Sequence, residues 1–222
     1  MILSYLTHKK WVLTNSGIKI IATQSPIAFR DLVQAFQCQN EMIICTNDSY
    51  DSLDIAKTFD FVGDPLLSGD IIKKYMSNIL NSYIANINEN NRNRIFTALQ
   101  NLEVAIDDSL MLEDLPLIIK FDDDLKKLLK FFDLHIDYEI TKSPYAIIEM
   151  IFKIHQSCNL KSIPVMCNST HYLEQDQLLE LSSLAKQMKM MVVLLEFASP
   201  DLLVVPEGVQ FYYIDQDLID LY

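Results

Sequence analysis

Residues 164–196 read PVMCNSTHYLEQDQLLELSSLAKQMKMMVVLLE. Two apolar runs, Ile163–Cys167 and Met190–Leu195, bracket a segment in which Leu178, Leu181, Ala185 and Met188 recur at helical spacing. Neither run alternates with polar residues, so each predicts a strand covered on both faces, and a full helix between them predicts parallel strands. This strand–helix–strand unit makes the chain an α/β protein built on a mostly parallel sheet.

The same grammar extends outward. Upstream, Ser143-Pro144 is a helix cap followed by proline at the first turn, and Ile147, Ile151, Ile154 and Cys158 continue as a stripe. Ile136–Glu139 reads as a strand before that helix, and Phe211–Ile214 as a last strand before the 215–222 tail. At the other end, Trp11–Thr14 and Ile18–Ala22 flank Asn15-Ser16-Gly17, a tight-turn signal between two extended runs. Ser25-Pro26 repeats the cap-plus-proline signal, with Phe29, Val33 and Phe36 on one stripe of the helix that follows. Met42–Cys45 is a short strand, and Ile55–Val62 a second extended run ending at Gly63-Asp64-Pro65.

From Ser68 the pattern turns helical. Ile72, Met76, Ile79 and Tyr83 form one stripe, Asn86–Asn93 a tip, and Ile95, Leu99, Leu102 and Ile106 a second stripe. An antiparallel return would let each stripe cover the other. A third helix is predicted over Asp124–Asp133. The expected organisation is a head formed by residues 1–67 and 136–222, with a helical leg, residues 68–135, inserted between its two parts.

Composition narrows the chemistry. The 222 residues are 50% hydrophobic and 22% charged, which excludes a disordered tail or a coiled-coil rod. The net charge of -12 argues against a simple basic nucleic-acid binder. No apolar run is long enough for a transmembrane helix, and MILSYLTHKKW lacks the charged and apolar regions of a signal peptide. The four cysteines form no knuckle pair and read as reduced residues of a cytoplasmic protein. With only four glycines, and no GxxxxGK[ST] or GxGxxG, the chain lacks the loops that converge backbone N–H groups on a phosphate. GxSxG is absent too, and Ser169 with His171 reads as a strand-to-helix loop before it reads as a catalytic dyad.

Between Glu103 and Asp124 stand eight carboxylates and one lysine, Lys120. Asp107, Asp108, Glu113, Asp114, Asp122, Asp123 and Asp124 are compatible with a hard-cation site, a solvated acidic surface or a protein-binding patch, and the spacing is not that of an EF-hand. Asp122-Asp123-Asp124 also suits the start of the third helix, where negative charge is favourable. Two basic groups accompany the acids: Lys73, Lys74, Arg92 and Arg94, and the helix face of Lys126, Lys127 and Lys130. Alone each reads as a solvated face. Repeated by symmetry, such patches line a positive channel even on an acidic subunit.

WVLTNSGIKI (11–20), FDFVGDPLLSGD (59–70), LLKFFDLHID (128–137) and the 164–196 unit follow one another in an order and spacing that resemble the accessory protein of type II-A CRISPR spacer acquisition, of the CRISPR-associated Csn family. The resemblance implies a head with a nucleotide-hydrolase-like core that has lost its phosphate motifs, and a helical leg. It implies a non-enzymatic homotetrameric ring that holds calcium, encircles double-stranded DNA, binds its ends without sequence preference, and works with the CRISPR integrase complex and the effector nuclease. By position it assigns calcium to Asp122, Asp123 and Asp124, with Glu113 and Asp114 beside them in the acidic segment. An acidic adaptor of the adaptation complex and a metal-dependent nuclease are the competing readings.

Overall fold

The computed structural model describes residues 1–5, 8–68, 70–120, 122–137, 142–203, 205–217 and 220–221. The chain divides into two compact units, one formed by Met1–Lys74 with Ile136–Tyr222 and the other by Tyr75–His135.

A six-stranded sheet organises the first unit. Its strands are β3 (Gly17–Thr23), β6 (Phe59–Gly63), β7 (Ile163–Cys167), β8 (Met191–Phe197), β9 (Gln210–Ile214) and β10 (Asp220–Leu221). They lie in the order β10-β9-β3-β8-β7-β6. Strands β9, β3, β8, β7 and β6 are parallel, and β10 closes the edge antiparallel to β9. Every residue of β3 is buried, as is Val192–Glu196 of β8, which explains why both runs lack polar alternation.

Side chains alternate between the sheet's two faces. Ile21, Val165, Val193 and Leu195 enter a core with Ala28, Leu32 and Phe36 of α1 (Pro26–Phe36). A second sheet joins that core through Leu3, Tyr5, Trp11 and Cys45. Its four strands are β1 (Ile2–Tyr5), β2 (Trp11–Val12), β4 (Ile43–Thr46) and β5 (Ser52–Leu53), antiparallel in the order β2-β1-β4-β5. On the other face α6 (Pro144–Ser157) and α7 (Gln175–Gln187) pack on each other, α7 lying against β3 and β8. The buried residues Ile151, Phe152, Leu181 and Ala185 belong to these two helices.

The three crossover helices end alike despite the shortage of glycine. Cys38, Asn159 and Lys189 adopt positive φ after α1, α6 and α7. At each, the next residue's N–H returns to the final helical turn: Gln39 to Gln34, Leu160 to His155 and Met190 to Ala185. These are Schellman closures in which a side chain stands where glycine is favoured.

The structure corrects several expectations. Asn15-Ser16-Gly17 does not close a hairpin: β2 pairs with β1, whereas β3 enters the large sheet, so the turn carries the chain from one sheet to the other. The extended run expected at Ile55–Val62 begins with a helical turn, α2 (Ile55–Thr58), because Asp54 accepts the Ala56 N–H as its cap. Its remainder is β6. At Ile136–Glu139, residues 136 and 137 carry no regular structure, and 138–139 lie outside the described residues. Strand β1 has no counterpart among the expected elements; its core contribution is split between Leu3 and Tyr5, too few positions for a periodic signal.

The second unit holds α3 (Met76–Asn86), α4 (Glu89–Leu110) and α5 (Leu125–Phe131). Helix α5 packs against α3, and Lys126 Nζ donates to Asn81 Oδ1 at 2.7 Å. The expected mutual cover of the α3 and α4 stripes is incomplete, for α4 runs 22 residues with no fully buried side chain. Within its stripe Ile95 and Leu99 are half-buried, whereas Leu102 is 55% exposed and Ile106 39%. Among the described residues no helix is long and apolar enough to cross a membrane.

Relief of the left-handed conformation at a Schellman closure is measurable. Lys189→Gly is expected to raise stability by about 1 kcal/mol, since a left-handed non-glycine residue costs roughly 1–2 kcal/mol and glycine's looser unfolded chain offsets part of it. Denaturant titration of the variant against the parent reads the change directly.

Candidate functional site

The acidic and basic candidates meet at the start of α5. Asp124 caps the helix, its Oδ1 accepting the Lys126 N–H at 2.8 Å and the Lys127 N–H at 3.3 Å. Asp122 accepts the Asp124 N–H at 3.0 Å with one oxygen and pairs with the Lys127 ammonium through the other. The Lys127 contact holds the Asp122 carboxyl below its usual range and raises the lysine in return. Sequence spacing alone leaves helix-start electrostatics open for this triplet, and two of its three carboxylates serve that role. Asp123 is exposed, while Glu113 and Asp114 are exposed in the turn after α4. Among the described residues no three His, Cys, Asp or Glu side chains converge as a metal group.

The basic candidates divide between the units. Lys130 is exposed on α5, as are Arg92 and Arg94 on the first turns of α4, where Arg92 lies over the Phe96 ring at 5.7 Å. In the first unit Lys73 is exposed. Lys74 is engaged instead: its ammonium pairs with Asp60 and donates to the Phe61 carbonyl at 2.9 Å. Asp60 also lies 3.2 Å from Nε2 of His155, a buried residue of α6. This network ties α6 and β6 to Lys74, where the unit's first segment ends.

At the carboxyl edge of the large sheet, where α/β folds commonly receive ligands, the protein's own side chains bridge the ends of neighbouring strands. After β3, Ser25 Oγ accepts the Ala28 N–H and Pro26 occupies the first turn of α1. At the end of β8, Glu196 is fully buried. Its two oxygens take the Thr170 N–H at 3.2 Å and the Thr170 hydroxyl at 2.7 Å. Thr170 belongs to the short 3-10 turn Ser169–Tyr172 after β7. Tyr172 donates to Asp64, after β6, at 3.0 Å. The 3-10 turn therefore straps the ends of β6, β7 and β8 together. Ser169 is buried within the strap, which agrees with its reading as a loop residue.

Burial pushes the Glu196 carboxyl up to about 7, against the lowering effect of its Thr170 bonds, and nearby Asp64 adds to the rise. Cys167, buried near the same acids, is pushed up to about 12 and stays a thiol. The one visible trace of Glu196 in the sequence is an acid ending an otherwise apolar strand, a pattern that does not say whether the acid points inward.

A family model described as CRISPR-associated protein (Cas_Csn2) matches residues 36–218. Among solved structures, the crystal structure of Stu0660 of Streptococcus thermophilus is similar, with a TM-score of 0.61 and 12% sequence identity, over 100% of this chain and 76% of that one. At that identity the likeness is one of fold. No curated protein matches the sequence.

The raised Glu196 carboxyl has a definite pH consequence. An acid whose folded pKa exceeds its unfolded one binds more protons when folded, so its contribution to stability is full below about 4.5 and is lost as pH rises through about 7. The loss is on the order of 3 kcal/mol. Glu196→Gln cannot titrate, so its melting temperature relative to the parent is expected to rise between pH 5 and about pH 7 and to level off by pH 8. A difference that does not change across that window would mean that Glu196 titrates elsewhere.

Proposed function

We propose a function from the premise that this chain belongs to the CRISPR-associated Cas_Csn2 family and is a CRISPR adaptation protein. It acts without catalysis, as a homotetrameric ring that holds double-stranded DNA, binds its ends irrespective of sequence and is strengthened by calcium. The first unit is the head and the second the leg. The head is a nucleotide-hydrolase-like scaffold used without nucleotide, in keeping with the absence of GxxxxGK[ST] and GxGxxG from the sequence. The DNA so held is presented to the integrase complex and the effector nuclease.

One observation supports the assembly: α4 has no fully buried side chain, and Leu102, Val104 and Ile106 in its second half are exposed. A surface of that kind asks for a partner, and repetition of the chain by symmetry supplies one. Assembly would also concentrate the positive groups that a single acidic chain spreads thinly. Lys126, Lys127 and Lys130 are the foremost phosphate contacts, with Lys73, Arg92 and Arg94 behind them. The Asn81 and Asp122 contacts of Lys126 and Lys127 are exposed. Such contacts contribute little, so phosphate competes with them readily. Lys74, engaged with Asp60, drops to the end of the series.

Calcium enters as a stabiliser of assembly, with Asp122, Asp123, Asp124, Glu113 and Asp114 as its candidate ligands. The described residues of one chain do not bring three such groups together. The ion therefore needs carboxylates from neighbouring copies, or a shift of Asp122 and Asp124 away from α5.

Three measurements test this reading. Solution mass in millimolar calcium should be four times that of the chain and should fall on chelation; a monomer under both conditions overturns the ring. Replacing Asp122, Asp123 and Asp124 together with asparagine should remove the rise in melting temperature that calcium produces. Equal calcium responses in parent and variant would move the ligands elsewhere. Replacing Lys126, Lys127 and Lys130 with alanine should weaken binding equally for unrelated duplexes and reduce the salt slope by up to about one unit for each phosphate no longer neutralised. An unchanged slope would shift the DNA-facing role to Lys73, Arg92 and Arg94.

A further inference from the structure

The loops leaving β3, β6, β7, β8 and β9 at the sheet's carboxyl edge (residues 24–25, 64–68, 168–174, 198–203 and 215–217) contain five carboxylates and no lysine or arginine. On the opposite edge Lys57, Lys161 and Lys189 stand just before β6, β7 and β8. Helix dipoles account for this division, since acids are favoured near helix starts and bases near helix ends. They do not account for the apolar side chains that share the acidic edge. Leu67 is 78% exposed, Leu202 is 79% exposed, and Leu66 and Phe197 are each about two-fifths exposed.

These side chains are held out by fixed structure. Asp64 Oδ1 accepts the Leu66 and Leu67 N–H groups at 2.9 and 3.0 Å while its other oxygen takes the Tyr172 hydroxyl. Leu202 sits on the short 3-10 turn Pro200–Leu202, whose backbone closes on Ser199. Phe197 packs on Phe29 of α1 at 5.4 Å between ring centroids. Between the strap and the Leu202 turn lies a groove of about 260 Å³, lined by Leu173, Leu178, Leu202 and Leu203 together with Glu174 and His171.

We propose that this carboxyl edge is a docking face for a basic, amphipathic segment of a partner protein, whose apolar side chains enter the Leu202 groove and cover Leu66 and Leu67 while its lysines or arginines meet the surrounding carboxylates. Charge complementarity selects that occupant. A second copy presenting the same edge would set acid against acid, and a DNA phosphate would meet carboxylates with no lysine or arginine among these loops to receive it. The face is independent of the α5 lysines, so its failure and the failure of the DNA-binding reading are separable.

The test uses the full chain and a labelled synthetic helix of leucine and lysine about four turns long, read by fluorescence anisotropy at physiological salt, with a leucine–glutamate helix as control. The leucine–lysine helix should bind and the control should not. Leu67→Ser/Leu202→Ser should weaken binding about tenfold with an unchanged melting temperature, because both side chains are already in solvent. Asp201→Lys, a single surface change, should weaken it independently. Equal binding by the parent and both variants would overturn the proposal, since the acidity of the whole chain would then explain the affinity. Loss of self-assembly in the leucine variant would assign the face to a second copy, and loss of duplex binding would assign it to DNA; either result also overturns it.

Discussion

The parallel pairing of β3 with β8 is the constraint from which the first unit follows. Its register runs without interruption from Gly17↔Met191 to Thr23↔Phe197 and joins segments more than 170 residues apart in the chain. Because both strands are buried on both faces, each must be covered twice, and the two layers, α1 with the small sheet and α6 with α7, are the response to that need. A one-residue slip would exchange the residues of one core for those of the other, so packing on both sides locks the register.

The same pairing decides where chemistry can occur. It places Glu196 at the buried end of β8, beneath the strap that β7 delivers, so the ends of β7 and β8 are joined by side chains of the protein itself. At the end of β3, Ser25 caps α1. What remains at that edge is a surface of acids and leucines suited to contact with another molecule rather than to enclosing a small one.

The second unit obeys a different economy. Helix α3 finds α5, but α4 finds no core, and its first turns carry arginines while the turn beyond it carries acids. Helices in proteins draw most of their stability from burying an apolar face. The second half of the α4 stripe and the side chains of Phe131 and Phe132 are left in solvent.

The large sheet and its crossover helices were legible in the residues, because unbroken apolar runs such as Met190–Leu195, 3.6-residue stripes such as Ile147–Cys158 and serine–proline caps are local signals with local physical causes. Asp124 as a helix start was legible for the same reason. The partner of each strand was not: Trp11–Val12 and Gly17–Thr23 flank a good turn, yet they enter different sheets, because pairing is settled by which apolar faces can be buried together. Nor could sequence separate Lys74, held by Asp60, from Lys73, or reveal the Glu196–Thr170 and Tyr172–Asp64 bonds. Those bonds join residues up to 108 positions apart, and their strength comes from burial and distance, which exist only once the chain has folded.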